Sequence, residues 1–578
     1  MIRLMVHPSF ILLLGALITA FIPQKLKKYI VLVSGVISFA LALRLPVGTE
    51  ITVPFINGMA LVILKVDQLA WIMTIATTFM LLLSLLYGWG EIGHREATWG
   101  LVYAGSSCGA LLSGSLMMLV IWWEIMAVAA AFMLISRHDK HAVNAGIRYL
   151  VIHFFGGNLL LFGVALLAKQ GFYLVEPLSR SMGAAYWLVL AGVGVSAGMI
   201  PFHAWIVDAY PNASIAGSVL MNSMTTKVAS ITLLRLFAGE QFLMGMGLLM
   251  AFWGVVYALR ENHIRRLLSY HIISQVGMII TAVGIGTPLA SNAAVALVLG
   301  NMLYKGILYM STGSIYYCTG KQKLTELGHQ VKTVPINACF FFIGALAIAG
   351  MPGLMGFACK PMVMAASGEQ KMALLSFLLY FASIGTFLSV TMKLGYNMFF
   401  GINAAPVKKK NAKPMMYAAM AILSLFIIAF GIKPGLFYQY LPWTDAAPYS
   451  PYTLDHVLSE FQLLLGGLLA FVVLHHLFKV KSGVSLDLDW FYRKPLVSFC
   501  LSLSKGINEF RLAVWQILMD GLGGVLPFFR NPMRLLMPWK HCGNAEFRPD
   551  FYRMPVGVGA AWILLAFVGM FIFLIQAV

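Results

Sequence analysis

From Leu69 to Trp89 the chain reads LAWIMTIATTFMLLLSLLYGW, an uninterrupted run without one charged residue. A hydrocarbon core of ~30 Å is crossed by about 20 residues of helix, so this run is long enough to span it. A second run from Val556, VGVGAAWILLAFVGMFIFLI, has the same character. Neither alternates apolar with polar residues as a membrane barrel strand would, so the spanning unit is a helix. With 60% hydrophobic and 11% charged residues over 578 positions, the chain cannot cover itself with a wettable surface, which excludes a soluble enzyme. The fold class is an all-α polytopic membrane protein.

Apolar runs predict about sixteen transmembrane helices, near 8–23, 29–47, 66–88, 97–113, 114–135, 147–169, 184–207, 215–238, 241–260, 266–286, 289–316, 334–366, 371–400, 414–434, 461–480 and 556–576. The run after Arg3 is followed by QKLKK and not by a small-residue cleavage site, which predicts a retained first span. The net charge of +19 sits in short clusters between runs, so it orients the chain and does not form a nucleic-acid surface. Alternate loops collect Lys25, Lys27 and Lys28, then Arg137 and Lys140, then Arg260, Arg265 and Arg266, then Lys321, Lys323 and Lys332, then Lys408, Lys409, Lys410 and Lys413. The opposite loops hold only scattered charges such as Lys65, Lys169, Arg180, Lys371 and Lys433, which predicts both termini on the outer side. Six cysteines, from Cys108 to Cys542, show no paired spacing, so no metal or redox cofactor is expected.

Two spans are interrupted alike. SAGMIPFHAW (196–205) and IAGMPGLMGF (348–357) share Ala-Gly-Met followed by proline, with breaks predicted at Pro201, Pro352 and Gly353. Matching discontinuous helices in two halves of a chain point to a transporter built from inverted repeats. Further on, Leu496, Phe499, Leu503, Ile507, Phe510, Val514 and Leu518 recur every three or four residues opposite Lys505, Glu509, Arg511 and Asp520. That pattern predicts an amphipathic helix lying along the membrane or a partner. The expected organisation is N-terminal helices over 1–95, two inverted five-helix repeats over 96–260 and 261–400, peripheral helices over 401–480, the amphipathic lateral helix over 481–555, and an anchoring helix over 556–578.

Ionisable groups at bilayer depth cost about 2.5–3.5 kcal/mol each even on lenient scales, so each calls for a reason. Glu124 (VIWWEIMAV), Lys227 (MTTKVAS), Lys305 (MLYKGIL) and Lys360 (FACKPMV) are the four that stand out. An ammonium taken out of water holds its proton less tightly and a nearby carboxylate opposes this, so a Glu–Lys–Lys series can pass a proton by forming and breaking ion pairs. The alternative is a static buried pair that fixes helix register. His203, Asp208 and His271, at span ends or breaks, are auxiliary candidates, as structural groups or relays. Lys393 either snorkels to the interface or is the second-half counterpart of Lys227.

The segments WWEIM, GIRYLVIHFFGGNLLL, PFHAWIVDAYPNAS, TTKVASITLLRLF, RRLLSYHIISQVGMI, YKGILYMSTGSI and GFACKPM together resemble the antiporter-like subunits of Mrp-type Na+/H+ antiporters, complex I and membrane-bound hydrogenases. The phrasing is most similar to the D-type subunits of the Mrp group. The resemblance covers about residues 60–400, and it implies that Glu124, Lys227, Lys305 and Lys360 are the charges of the fifth, eighth, eleventh and broken twelfth helices. It further implies a bacterial-type cytoplasmic membrane, neighbouring membrane subunits, and H+ (with Na+ as an exchanged ion) moved along a hydrated central axis. The chain departs from the family pattern at Ser196, where relatives place a lysine, and at Asn301 and Leu297, where they place histidines. Other functions that remain open are a membrane-arm subunit of a redox complex, a coupling subunit for inorganic-carbon uptake, and a scaffold silent in transport. No catalytic site is expected in the chain itself.

Overall fold

The structure is a computed structural model describing residues 7–55, 60–402, 404–407, 409–446, 449–478, 480, 487–530 and 556–576. Arg3, Lys408, Cys542 and the stretches 481–486 and 531–555 of the expected lateral segment lie outside the described residues. The elements begin with α1 (Pro8–Phe21), α2 (Gln24–Arg44), an antiparallel hairpin of β1 (Glu50–Pro54) and β2 (Ala60–Lys65), then α3 (Gln68–Tyr87), α4 (His94–Leu112), α5 (Leu116–Ile135) and α6 (Lys140–Lys169). Next come α7 (Ala184–Ala197), α8 (Ala204–Asn212), α9 (Ile215–Ser223), α10 (Thr225–Phe237), α11 (Gln241–Arg260), α12 (Ile264–Ile285) and α13 (Pro288–Thr319). The chain continues through α14 (Pro335–Ala349), α15 (Met355–Glu369), α16 (Ala373–Thr386), a π-helical stretch Phe387–Tyr396, α17 (Asn397–Phe399), α18 (Pro414–Ile432), α19 (Gly435–Tyr438) and α20 (Leu454–Val473).

These elements belong to a unit covering Met1–Asp489; a second unit, Trp490–Val578, holds the 36-residue helix α22 (Pro495–Arg530) and α23 (Val556–Gln576), with the short α21 (Asp489–Arg493) at the division. Ten helices among the described residues are long and apolar enough to cross a membrane. The chain is therefore helical and polytopic. The hairpin of β1 and β2 lies in what the sequence marks only as a connection between spans.

Both expected breaks are built in the same way. After α7, Gly198 takes a left-handed conformation (φ 75°) and the Met199 N–H turns back 3.0 Å to the Gly194 carbonyl. After α14, Gly350 (φ 97°) is followed by Met351, whose N–H reaches the Leu346 carbonyl at 3.0 Å. A glycine after the last helical residue avoids the Cβ clash of that conformation, and the backward bond satisfies a carbonyl that helix termination frees. Pro201 occupies the first gap, and Pro352 and Gly353 the second.

A third break carries no proline or glycine. The span expected as one helix over 215–238 divides at Met224 (φ −118°, ψ −90°) into α9 and α10. Tyr103 on α4 compensates there, its hydroxyl accepting the Thr225 N–H at 3.1 Å. The expected 371–400 helix likewise widens into the π-helical stretch that carries Lys393. Arg265, a loop charge by its sequence position, is corrected by its surroundings: it is 1% exposed, and its guanidinium donates to the carbonyls of Tyr210, Pro211, Ala213 and Ser214 at 2.9–3.2 Å. It satisfies the frayed end of α8, because terminal carbonyls need donors and water is excluded. Arg266 beside it stays half exposed.

Where helices meet most closely, glycine is required. A Cβ at Gly247 on α11 would lie 2.5 Å from backbone atoms of Gly277 and Thr281 on α12. Such contact, and not a hydrophobic drive, is what holds helices together in lipid. Before α7, Arg180 makes a two-armed ion pair with Glu240, the N-cap residue of α11, which also accepts the Phe242 N–H at 3.1 Å.

The hydrogen bonds from Arg180 hold the Glu240 carboxyl down at about 2, against an ordinary value of 4.5. A depressed carboxyl contributes stability above its unfolded pKa and loses it as pH falls toward the folded value. The destabilisation caused by Glu240→Gln, measured by thermal unfolding in detergent, should therefore be constant from pH 8 to about 5 and shrink between about 4.5 and 2. A deficit independent of pH down to 3 would contradict this.

Candidate functional site

Glu124 lies midway along α5, half-buried, against Gly157 of α6. A Cβ at position 157 would collide with the Glu124 Oε1 atom, so glycine makes the seat for this carboxylate. Among the described residues no cation pairs with it. Four residues before Gly157, on the same face of α6, is His153, fully buried. Its Nδ1 is 2.9 Å from the Tyr149 carbonyl, an acceptor only, so Nδ1 bears the proton and the Nε2 lone pair is left without a partner. The ring stacks on Tyr149 at 3.9 Å and meets Trp205 edge-on at 4.5 Å. α6 and α7 run antiparallel, with Gly163 against Val189 and Gly156 against Val195, a register that brings Ser196 to the level of Gly156, about one turn from His153. The Ser196 hydroxyl is buried and unpartnered as well.

From His153 polar groups continue to the break at Met224. The hydroxyls of Tyr149 and Tyr103 converge on Thr225 Oγ1 at 2.8 and 2.6 Å. Lys227 follows on the first turn of α10, 1% exposed, its ammonium donating only to Thr226 Oγ1 at 3.3 Å. Lys305, fully buried midway along α13, donates to the Leu268 carbonyl at 3.1 Å. Asn301, one turn earlier on the same face, has both amide atoms buried and unpartnered. Lys360 on α15, just beyond the second break, donates to Ser383 Oγ at 3.1 Å. Lys305 is within electrostatic reach of both Lys227 and Lys360. The structure therefore brings three buried ammonium groups into one series.

The auxiliary candidates divide. Asp208 is held by Arg148 through two bonds of 2.6 and 2.9 Å. Lys393 donates to the carbonyls of Ala258, Leu259 and Glu261 at 3.3, 2.7 and 2.6 Å, so it caps the C-terminus of α11 and neither snorkels nor stands free. His271, two turns into α12, has Nε2 2.6 Å from Ser389 Oγ and feels the charges of Lys305, Lys360 and Lys393. His203, in the first break, has Nε2 within 3.1–3.2 Å of both Asp487 oxygens and within 3.1 Å of Trp253 Nε1. Tyr270 donates to Asp487 at 2.8 Å.

Three polar residues of this region escape a reading of the sequence. His153 has a local signal, being the one residue of the run YLVIHFFGGNLLLF whose side chain ordinarily titrates near neutrality. Glu460, 2% exposed on α20, stands at the border of a predicted span, where the sequence places a loop. Asp487 has no local signal, because its partner His203 is 284 positions away.

Comparison with known proteins agrees with this architecture. Residues 113–389 match the family described as NADH:quinone oxidoreductase/Mrp antiporter, TM. The likeness read from the motifs, to antiporter-like membrane subunits, agrees with that match. Among curated relatives, the D subunit of the Na(+)/H(+) antiporter of Bacillus subtilis is 26% identical over 398 residues, covering 64% of this chain and 80% of that one. Several longer relatives are spanned for less than two thirds of their length. Of solved structures, the Mrp complex from Dietzia sp. DQ12-45-1b superposes with a TM-score of 0.75 at 20% identity, over 90% of this chain and 62% of that chain. A chain of an archaeal respiratory membrane complex, the membrane-bound sulfane sulfur reductase, gives 0.70 at 21% identity over 97% and 99% of the two chains.

The seat of Glu124 makes a stability test. Gly157→Ala should destabilise the chain by about 1–3 kcal/mol through overpacking. Combined with Glu124→Ala, which removes the colliding atom, the loss should be smaller than the sum of the two single changes in thermal unfolding. Strict additivity would mean that position 157 does not seat Glu124.

Proposed function

We propose that the chain is a proton-translocating subunit of a multisubunit membrane complex, moving H+ along Glu124, Lys227, Lys305 and Lys360, with Na+/H+ exchange as one form of the coupled reaction. The observation that carries this is the series of three buried lysines, each given one neutral partner and lying within electrostatic reach of the next. An ion pair that only held helices together would be saturated with partners, as Asp208 is. On this reading His153, with its open Nε2 one turn along α6 from the seat of Glu124 and about one turn from Ser196, takes the part of the absent family lysine, and Tyr149 and Thr225 lead from it toward the start of α10, where Lys227 lies. His203 and His271 serve this axis as auxiliary groups.

On this proposal the chain crosses the membrane sixteen times, with α7/α8, α9/α10 and α14/α15 each counted as one interrupted crossing. The two inverted five-helix repeats occupy 96–260 and 261–400, flanked by 1–95 and by peripheral helices over 401–480. The lateral helix occupies 481–555, the anchor 556–578, and both termini face outward from a bacterial-type cytoplasmic membrane. The partners are other membrane subunits of an Mrp-type or complex I-like assembly, and the chain needs no cofactor of its own. A second reading, the membrane arm of a redox-driven complex, is favoured by the near-complete mutual coverage with the archaeal respiratory chain. Both readings use the same axis and differ in what drives it.

Flux through proteoliposomes of the assembled complex tests the axis. Glu124→Gln, Lys227→Ala, Lys305→Ala and Lys360→Ala should each lower proton flux by about a hundredfold, the scale of losing a positioned proton-transfer group. Wild-type flux in all four would identify the chain as a transport-silent scaffold.

A further inference from the structure

α20 packs on the rest of the chain through a single narrow face. Its buried positions are Glu460, Leu464 and Gly467, which share one stripe at helical spacing. Leu464 joins Ala349 and Phe387 in a small apolar cluster, and Gly467 admits the Phe387 ring. An apolar residue at 460 would complete that face. A carboxylate stands there instead, 2% exposed, and neither of its oxygens has a hydrogen-bond partner among the described residues. Burying a carboxylate unpartnered is among the most expensive choices a fold can make, so packing does not explain it.

Glu460 is directed into the second helix break. A Cβ on Gly350, the residue that ends α14, would lie 3.2 Å from Glu460 Oε2. Lys360, on the other side of that break, and Glu460 each feel the other's charge, although no ion pair within 4 Å joins them among the described residues. One turn toward the N-terminus of α20, on the same face, is His456, half-buried and with Nδ1 unpartnered. The Tyr449 ring lies 5.9 Å from it, with its hydroxyl also buried and unpartnered. Burial thus falls stepwise from Lys360 and Glu460 to His456, and then to the exposed Leu454 and Asp455 at the helix start. Glu460 is about 9 Å along the axis from that start. The loop before α20 is on the side poor in lysine, the outer side by the positive-inside rule.

We propose that Glu460 is a proton-exchange site, the step between Lys360 and the outer surface, with His456 as its contact toward water. This rests on the proton-translocating function proposed above. The Lys360 ammonium gives a proton to the Glu460 carboxylate, leaving an amine and a carboxylic acid. The acid then loses the proton to His456 Nδ1 or to outer water, and the carboxylate is restored.

Proton flux in proteoliposomes of the assembled complex, with assembly followed on native gels, tests the site. Glu460→Gln should lower flux by about tenfold or more, and Glu460→Asp, which keeps the acid, should retain most of it. Wild-type flux in Glu460→Gln, beside inactive Lys360→Ala, would overturn this proposal and leave the axis standing. Wild-type flux in Lys360→Ala and in the other axis variants would instead remove the underlying function. If Glu460→Gln does not assemble, Glu460→Leu, which completes the apolar stripe, takes its place: loss of flux in an assembled complex supports the site, and retained flux refutes it.

Discussion

In hydrocarbon a backbone group freed from its helix has no water to bond, and this constraint governs where the chain can be irregular. Each interruption among the described helices is closed from within the protein. Gly198 and Gly350 let the chain turn back on its own carbonyls, Tyr103 accepts the Thr225 N–H at the Met224 break, and Tyr452 bridges the Gly353 N–H and the Gly431 carbonyl. Tyr103 does this two residues before the buried Lys227. Closing a break and building a polar interior are one structural act here, since a hydroxyl that caps a helix end also offers a lone pair or a proton to the next group.

The buried charges form two populations. Arg265 bonds four carbonyls, Lys393 three, and Asp208 both arms of Arg148. These charges are saturated, and changing their protonation would break several charge-assisted bonds at once. Lys227, Lys305 and Lys360 each have one neutral acceptor, and Glu124 and Glu460 have no cation in contact. A sparsely partnered group loses little when its charge changes, which is the condition for carrying a proton instead of holding a helix. Composition cannot separate the two populations, because Lys393 and Lys305 look alike in sequence.

Much of the fold is legible for the reason that makes membrane proteins simple: one period, one length and one charge bias determine the elements. The two proline-marked breaks are visible because Pro and Gly leave a signature that Met224 does not. Lys227, Lys305 and Lys360 are visible because a charge in an apolar run stands out against its neighbours. Arg265 is not, because it borders a basic loop and its burial comes from the end of α8, more than fifty positions earlier. Asp487 and Glu460 are hidden by the same nonlocality: both lie beyond the motifs that stand out in the sequence, and the groups they face, His203 and Tyr270 for Asp487 and Gly350 for Glu460, are more than a hundred positions earlier.

The two ends of the series of buried charges differ in how complete they are. At one end, Lys360 has a carboxylate of its own chain within its field. At the other, Glu124 is half-buried, paired with no cation among the described residues, and seated on Gly157, one turn of α6 from a histidine whose proton is fixed on Nδ1. A carboxylate without a counter-charge responds strongly to one supplied from outside. A unit charge ~6 Å away contributes ~3 kcal/mol at an effective dielectric of ~20. That is comparable to the ~2.3 kcal/mol gained when one charge moves through 100 mV. A charge placed beside Glu124 from outside the chain would therefore act on it about as strongly as 100 mV acts on a unit charge crossing the membrane, and with serine at position 196 no lysine there offsets that sensitivity.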